Sequence, residues 1–180
     1  MRLLSAIALL ALLGACGPSP VSQRVVVQND PVAAPAAPVE LPAAVVATVN
    51  DLTEIAKDGS TWDMARLACA TPGFRSNAGE LDHADYWYLK YRTGDWPMEH
   101  LGRVLAYAPA VAELDGQLIY VWPYMANVAP NAMTPKVRRD AELILGAEGA
   151  QRFAAGAGWP GYRLGISADG TWRYFYTGAD

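Results

Sequence analysis

Residues 161–178 read GYRLGISADGTWRYFYTG, and this stretch predicts a β-hairpin at the C-terminal end of the chain. Two runs rich in apolar and aromatic residues flank the turn sequence Asp169-Gly170. The loop length decides which side chains share a face, because successive residues of a strand point to opposite sides. A two-residue loop would mix apolar and charged side chains. We expect a three-residue loop with a left-handed Gly170 and three facing pairs: Ile166 with Trp172, Leu164 with Tyr174, and Tyr162 with Tyr176.

The other face of this hairpin is expected to carry two arginines. In the same register, Arg163 lies beside Phe175 and Arg173 lies beside Gly165. Two interpretations stay open for this face. The arginines form a solvent-exposed surface without a ligand, or they supply charge for an anionic group.

Four helices are predicted before the first strand. Residues 45–57 carry apolar side chains at helical spacing, and residues 84–91 form the third helix. Three helix starts share a pattern in which a side-chain oxygen can cap the first backbone N–H groups. These starts are Ser60 with Asp63, Asp82 with Asp85, and Asp95 ahead of Pro97.

Residues 117–124 predict the first strand, which is entered through Asp115-Gly116. Pro123 near its end indicates a strand terminus or an edge strand. Thr134-Pro135 predicts a helix to about residue 145, followed by a short Gly-rich helix to about residue 155. The fold class is therefore α+β, with N-terminal helices and a small antiparallel sheet of about three strands that ends in the C-terminal hairpin.

The first residues of the chain carry an export signal. Arg2 precedes an apolar run at residues 3–13, which is too short to span a bilayer comfortably. The tetrapeptide Leu13-Gly14-Ala15-Cys16 resembles the lipobox of bacterial lipoproteins. This resemblance implies a signal peptide at residues 1–15 and an acyl anchor, such as palmitate, at Cys16. A transmembrane anchor and a signal cleaved without lipidation are the alternatives.

Gly17, and not an aspartate, follows the cysteine. By resemblance to lipoprotein sorting in Gram-negative bacteria, this implies the outer membrane, with the domain facing the periplasm. Three acyl chains would make the anchoring effectively permanent.

Residues 16–44 are predicted to form a disordered tether. The stretch holds six prolines and no aromatic residue, so it cannot bury enough surface to order itself. Every Trp, Tyr and Phe follows residue 60. This change in composition places one folded domain at residues 45–180, a length that suffices for a single core.

The charge of the chain narrows the classes of partner. Removing residues 1–15 takes away Arg2 and lowers the formal net charge from −4 to −5. Such a domain lacks the basic surface of a nucleic-acid-binding protein, and the mature N-terminus has no polybasic cluster for anionic lipid. We therefore expect a membrane lipid anchor with an envelope ligand or a protein partner, and no nucleic acid.

Parts of the domain resemble a loose group of small uncharacterised exported proteins of Gram-negative bacteria. The segments that carry this resemblance are residues 161–166, 169–172, 174–178 and 74–91, together with Trp122-Pro123-Tyr124. The resemblance covers about half of the domain. It implies a single domain and no particular activity.

No pattern in the sequence predicts a catalytic, metal or cofactor site. His83 and His100 have carboxylates nearby, but their spacing matches no metal site. No Gly-x-Ser-x-Gly nucleophile motif is present. Paired carboxylates for glycan hydrolysis would need a longer cleft than a domain of this size usually supplies. The acidic residues near the histidines, Glu80, Asp82, Asp85 and Glu99, are therefore interpreted as caps and surface residues.

Cys69 lies in an apolar helical stretch and is expected to be a small buried thiol. If Cys16 is lipidated, Cys69 has no partner within the chain, and an intrachain disulfide is excluded. An intermolecular disulfide in an oxidising compartment stays open.

The aromatic residues are the better indication of a binding site. Four of them fall on successive faces of one short helix, Tyr86, Trp87, Tyr88 and Tyr91, so they cannot all enter the core. A ligand pocket is predicted between the first strand and the hairpin. Its candidate residues are Trp122, Tyr124, Tyr162, Arg163 and Arg173.

The leading hypothesis is a non-enzymatic binding or interaction module of the cell envelope. The first alternative is a small hydrolase that acts on peptidoglycan or another envelope polymer. It would require His83 or His100 to face a carboxylate, or Cys69, within a cleft. The second alternative is a structural subunit of an envelope assembly.

Overall fold

The computed structural model of the chain describes residues 39–77 and 81–178. The predicted signal peptide, Cys16 and most of the predicted tether lie outside these residues. Val39 and Leu41 pack against the core, so packing begins before residue 45. No helix in the described segments is both long enough and apolar enough to cross a bilayer.

The domain is α+β, as predicted. Its helices are α1 (Ala43–Asp58), α2 (Thr61–Ala70), α3 (His83–Arg92), α4 (Pro97–Leu105) and α5 (Pro135–Ala154). Its strands are β1 (Ala110–Leu114), β2 (Gln117–Trp122), β3 (Tyr162–Ser167) and β4 (Trp172–Thr177). Short 3-10 helices span Tyr124–Asn127 and Pro130–Ala132. The four strands form one antiparallel sheet in sequence order, so the sheet has one strand more than expected.

Helix starts follow the predicted caps, with one exception. Ser60 accepts a hydrogen bond from the backbone N–H of Asp63 and donates to its carboxylate. Asp82 accepts from the backbone N–H of Asp85 in the same way. Asp95 does not cap α4, because Trp96 occupies the N-cap position. The Asp95 carboxylate binds other groups instead.

The unpredicted strand β1 joins β2 through the turn Asp115-Gly116. Both turn residues have positive φ, 53° and 75°, which is the conformation of a two-residue type I′ hairpin. β2 lies inside the sheet, so Pro123 marks its terminus and not an edge. Gly146, with φ 71°, divides α5 at the boundary predicted between two helices.

The predicted register of the C-terminal hairpin is correct only next to its turn. The three-residue loop and the pairing of Ile166 with Trp172 are confirmed. Beyond them a β-bulge adds one residue to β4, and the register shifts by one. The observed pairs are Gly165 with Tyr174, Leu164 with Phe175, Arg163 with Tyr176, and Tyr162 with Thr177.

The bulge coincides with a contact on the outer side of β4. The backbone N–H of Arg75 donates to the carbonyl of Arg173 at 3.0 Å, and the Arg75 carbonyl accepts from the N–H of Phe175 at 3.0 Å. This contact gives the edge of β4 a backbone partner. Because the bulge shifts the register by one residue, the predicted pairs of Tyr174 with Leu164 and of Tyr176 with Tyr162 are wrong. Phe175 takes the place of Tyr174 opposite Leu164 and enters the core.

The main core lies between one face of the sheet and helices α1 to α4. Its sheet residues are Tyr120, Trp122, Tyr162, Leu164, Ile166, Trp172 and Phe175. A second buried cluster joins the start of β1, the 3-10 segment Tyr124–Asn127 and α5. All six residues of β3 are buried, so both faces of this strand are covered.

The expected solvent-exposed arginine face is wrong for Arg163. This residue is 6% exposed, and its guanidinium donates to the carbonyl of Gly178 at 2.6 Å. The guanidinium also lies 5.2 Å from the ring centre of Tyr176. Buried cations of this kind need such partners, so Arg163 packs within the fold.

The hairpin turn rests on the backbone of α1, and this contact can be tested. Gly170 has φ 86°, and a Cβ there would lie 2.8 Å from the carbonyl oxygen of Ala44. We expect Gly170→Ala to lower the free energy of unfolding by the left-handed penalty of roughly 1–2 kcal/mol and by about 1 kcal/mol more for the clash. Gly116→Ala is the matched control, because Gly116 has φ 75° and no atom within 4 Å of the added Cβ. Equal losses in urea denaturation would contradict the contact.

Candidate functional site

The five residues predicted to form a pocket do not surround one cavity. Trp122 is 2% exposed in the main core, whereas Tyr124 belongs to the second cluster. The Tyr124 hydroxyl donates to Asp140 at 2.6 Å. Arg163 is buried in packing, and Arg173 is half-buried at the bulge of β4. Of the five, Tyr162 is the one that joins a polar cluster beside an open cavity.

That cluster is centred on the carboxylate of Asp95, which three side chains approach from three elements. Lys90 of α3 forms an ion pair with Oδ2 at 3.0 Å, and the Tyr162 hydroxyl of β3 donates to the same oxygen at 3.1 Å. His100 of α4 places Nε2 3.0 Å from Oδ1. The Asp95 side chain is 28% exposed, so this carboxylate lies at the boundary between protein and solvent.

Stacked rings hold this cluster in place. The ring of His100 stacks on that of Tyr162, with centroids 4.5 Å apart. Tyr162 in turn stacks on the buried Phe175 at 4.9 Å. Two of the side chains that bind Asp95, Tyr162 and His100, are therefore held by packing against the main core.

An open cavity of about 250 Å³ lies beside the cluster. One part of its lining is polar and comprises Asp95, His100, Arg103, Tyr162 and Thr177. The other part is apolar apart from the backbone and comprises Val104, Ile144, Leu145, Pro160 and Gly161. The cavity thus lies between α4, the first half of α5 and the beginning of β3.

Burial sets the protonation of the cluster. It lowers the pKa of His100, although the Asp95 carboxylate acts in the opposite direction. Burial, followed by the nearby Asp95 charge, raises the pKa of Tyr162 far above its ordinary value. At neutral pH we therefore expect a neutral imidazole that donates Nε2–H to Asp95 and a protonated Tyr162. Nδ1 of His100 is then a hydrogen-bond acceptor.

The second histidine belongs to a closed network. Ser76 Oγ lies 2.8 Å from Nδ1 of His83, and Asn77 donates to the same hydroxyl at 2.9 Å. Ser76 is 1% exposed, so a substrate cannot reach it. His83 packs edge-on against Phe74 at 5.0 Å. We interpret this pair as part of the packing between α3 and the segment before it.

No three His, Cys, Asp or Glu side chains within residues 39–77 and 81–178 are grouped closely enough to hold a metal ion. Asp82 and Asp85 serve the start of α3, as expected.

The expectation for Cys69 is wrong on two counts. The residue is exposed on α2 and not buried. It is also disulfide-bonded, and so it is not the thiol that the sequence predicts. The other cysteine of the chain, Cys16, lies outside the described residues.

Sequence reasoning missed the Asp95 cluster because Asp95 was assigned to a helix cap. The only local signal was the spacing, with Lys90 five residues before Asp95 and His100 five residues after it. The third partner, Tyr162, is 67 residues away, and no local pattern connects the two.

Comparisons with protein-family models, with curated proteins and with solved structures find no match to this chain. The site is therefore interpreted from its own geometry.

The proton on His100 provides a test of the cluster. The pKa of His100 in the folded chain is lowered from its ordinary value of 6.5, so the folded state favours the neutral ring. The contribution of this residue to the free energy of unfolding is complete above pH 6.5 and is lost as the pH falls through the folded-state pKa. We expect Asp95→Asn to lower the pKa of His100 further, because the carboxylate favours the imidazolium form. NMR titration of the two histidine rings measures this directly. Asp82→Asn is the matched control and should lower only the pKa of His83. An unchanged His100 titration in Asp95→Asn would contradict the pairing.

Proposed function

We propose that this chain is an envelope lipoprotein, anchored at Cys16, whose α+β domain is a non-enzymatic binding module. The observation that carries the binding role is the open cavity beside Asp95, whose lining combines a polar cluster with apolar side chains. Cavities of mixed lining, with a few convergent polar groups, are typical of small-molecule sites. The cluster is also preorganised, since packing holds its members before a ligand arrives.

The lipobox at residues 13–16 supports the anchor. Between Cys16 and the first described residue, Val39, the chain has 23 peptide links. A chain of that length reaches at most about 80 Å when extended, so the domain would stay near the outer membrane and face the periplasm. A ligand from the envelope is therefore within its range.

Acylation of Cys16 restricts how Cys69 can pair. The thioether that forms when the Cys16 sulfur receives a diacylglyceryl group cannot share that sulfur with a disulfide, and the chain has two cysteines. Under the lipoprotein hypothesis, a disulfide at Cys69 would therefore need a cysteine of another molecule. An intrachain disulfide and lipidation are mutually exclusive outcomes.

Replacing Cys16 tests the anchor. We expect Cys16→Ala to abolish acyl labelling and to release the protein from the membrane fraction. Cys69→Ser is the matched control and should keep both properties. Mass spectrometry of the mature N-terminal peptide should show the added acyl mass in the unaltered chain. A Cys16→Ala protein that still fractionates with membranes would sink the lipoprotein proposal.

A small hydrolase is the second candidate, because His100 faces the Asp95 carboxylate at 3.0 Å within the cavity. An imidazole held in this way can act as a general base on water through its other nitrogen. Binding is preferred for a chemical reason. The cavity hydroxyl of Thr177 donates to the carbonyl of Pro160 at 3.1 Å and does not face His100 as an activated nucleophile.

One experiment separates binding from hydrolysis. The full chain is incubated with muropeptides, glycan strands and envelope lipids, and thermal shift and product masses are recorded on the same samples. We expect a shift without new products, and we expect Asp95→Asn to reduce that shift. His83→Gln, outside the cavity, should leave it unchanged. New products that disappear in His100→Gln would establish the hydrolase.

A further inference from the structure

We infer that the ligand of the Asp95 cavity is an amphiphile with one hydrocarbon chain and an anionic head, either phosphate or carboxylate. This inference rests on the proposed binding function and specifies its ligand class. Four features of the cavity and its surroundings carry it.

The polar wall of the cavity is occupied by its own hydrogen bonds. The Asp95 carboxylate already accepts from Lys90, His100 and Tyr162. The Thr177 hydroxyl is directed to a backbone carbonyl. A sugar or a peptide needs many partners, because a buried polar group without one is costly. This wall offers few, so a strongly polar ligand fits it poorly.

The apolar part of the lining matches a hydrocarbon chain. Val104, Ile144, Leu145 and Pro160 present side chains without hydrogen-bonding groups. Gly161 allows the side chains of Leu145 and Trp159 to pack against the backbone at this position, because a Cβ there would lie 2.7 Å from Leu145 and 3.0 Å from Trp159. Apolar surface of this kind contributes binding energy in proportion to the ligand area that it removes from water.

Arg103 supplies a cation at the cavity. Its partner is Glu99 on the same helix, at 3.4 Å, and both side chains are more than half exposed. An exposed pair of this kind contributes little, so a ligand can replace it at small cost. The planar guanidinium can bind phosphate or carboxylate through two parallel hydrogen bonds.

Exposed aromatic residues lie on α3 and at the start of α4, the helices that carry Lys90 and His100. Trp96 directly follows Asp95, is 47% exposed and packs edge-on against the exposed Tyr91 at 4.8 Å. Tyr88 lies three residues before Tyr91 on α3, and it is also exposed. Such residues favour the boundary between water and lipid. On a lipid-anchored domain, this surface would bring the cavity close to a source of amphiphiles.

Photo-crosslinking tests the inference in the full chain. The protein is placed in phosphatidylethanolamine vesicles with tetradecyl phosphate that carries a diazirine on its alkyl chain. Labelled peptides are then mapped by mass spectrometry. We expect labelling at residues 144–145 and in the segment 160–162. Excess dodecyl phosphate should compete, whereas inorganic phosphate should not.

Two variants test the binding of the anionic head and the binding of the hydrocarbon chain separately. Arg103→Gln should reduce labelling about tenfold, as expected for the loss of a charge-assisted pair, whereas Arg138→Gln, an exposed arginine away from the cavity, should not. Ile144→Gln should reduce labelling while thermal unfolding confirms the fold. Labelling elsewhere, or labelling unaffected by Arg103→Gln, would overturn the inference.

A second photo-crosslinking probe distinguishes the source of the amphiphile. Lysophosphatidic acid with the same diazirine in its single acyl chain reports a bilayer lipid, and tetradecyl phosphate reports a free amphiphile. Labelling of the cavity by either one supports the inference. If neither labels it while muropeptides still give a thermal shift, the amphiphile is wrong and the binding module stands. If no envelope compound gives a shift, the proposed function fails as well.

Discussion

The burial of β3 on both faces is the constraint on which the rest of this domain depends. Leu164 and Ile166 are fully enclosed by the helical layer, while the ring of Tyr174 covers Gly165 on the opposite face. A strand enclosed in this way allows one register only, because a shift by one residue would exchange its two faces. The bulge in β4 allows this register of β3 to form together with the three-residue turn. It brings Phe175 into the core and still lets the turn rest on α1.

The same strand places Tyr162 where the helical layer meets the open cavity. Its ring is stacked between Phe175 of the core and His100 of α4, and its hydroxyl reaches Asp95. The polar cluster is therefore an extension of the core packing into the cavity. Rigidity of this kind suits a binding site, since a preorganised site loses less entropy when a ligand arrives. It also explains why a half-buried carboxylate is tolerated, because three donors compensate its lost hydration.

Local chemistry explains which parts of the fold could be predicted. The helix starts at Ser60, Asp82 and Thr134 were correct because a cap involves residues three positions apart. The loop of the last hairpin was correct for the same reason. Asp95 shows the limit of this reasoning. Its position before a helix suits a cap, but its carboxylate binds Lys90, His100 and Tyr162 instead of the first N–H groups of α4.

The sequence by itself determined the α+β class, the starts of α2, α3 and α5 and the hairpin turn. The starts and the turn depend on neighbours within a few residues. Its N-terminal pattern also predicts the lipid anchor, which depends on no fold. Only the tertiary structure decided the register of β4, the burial of Arg163 and the site around Asp95. Each of these results from contacts between residues that are not neighbours in the chain, and such contacts form only when the strands and helices assemble.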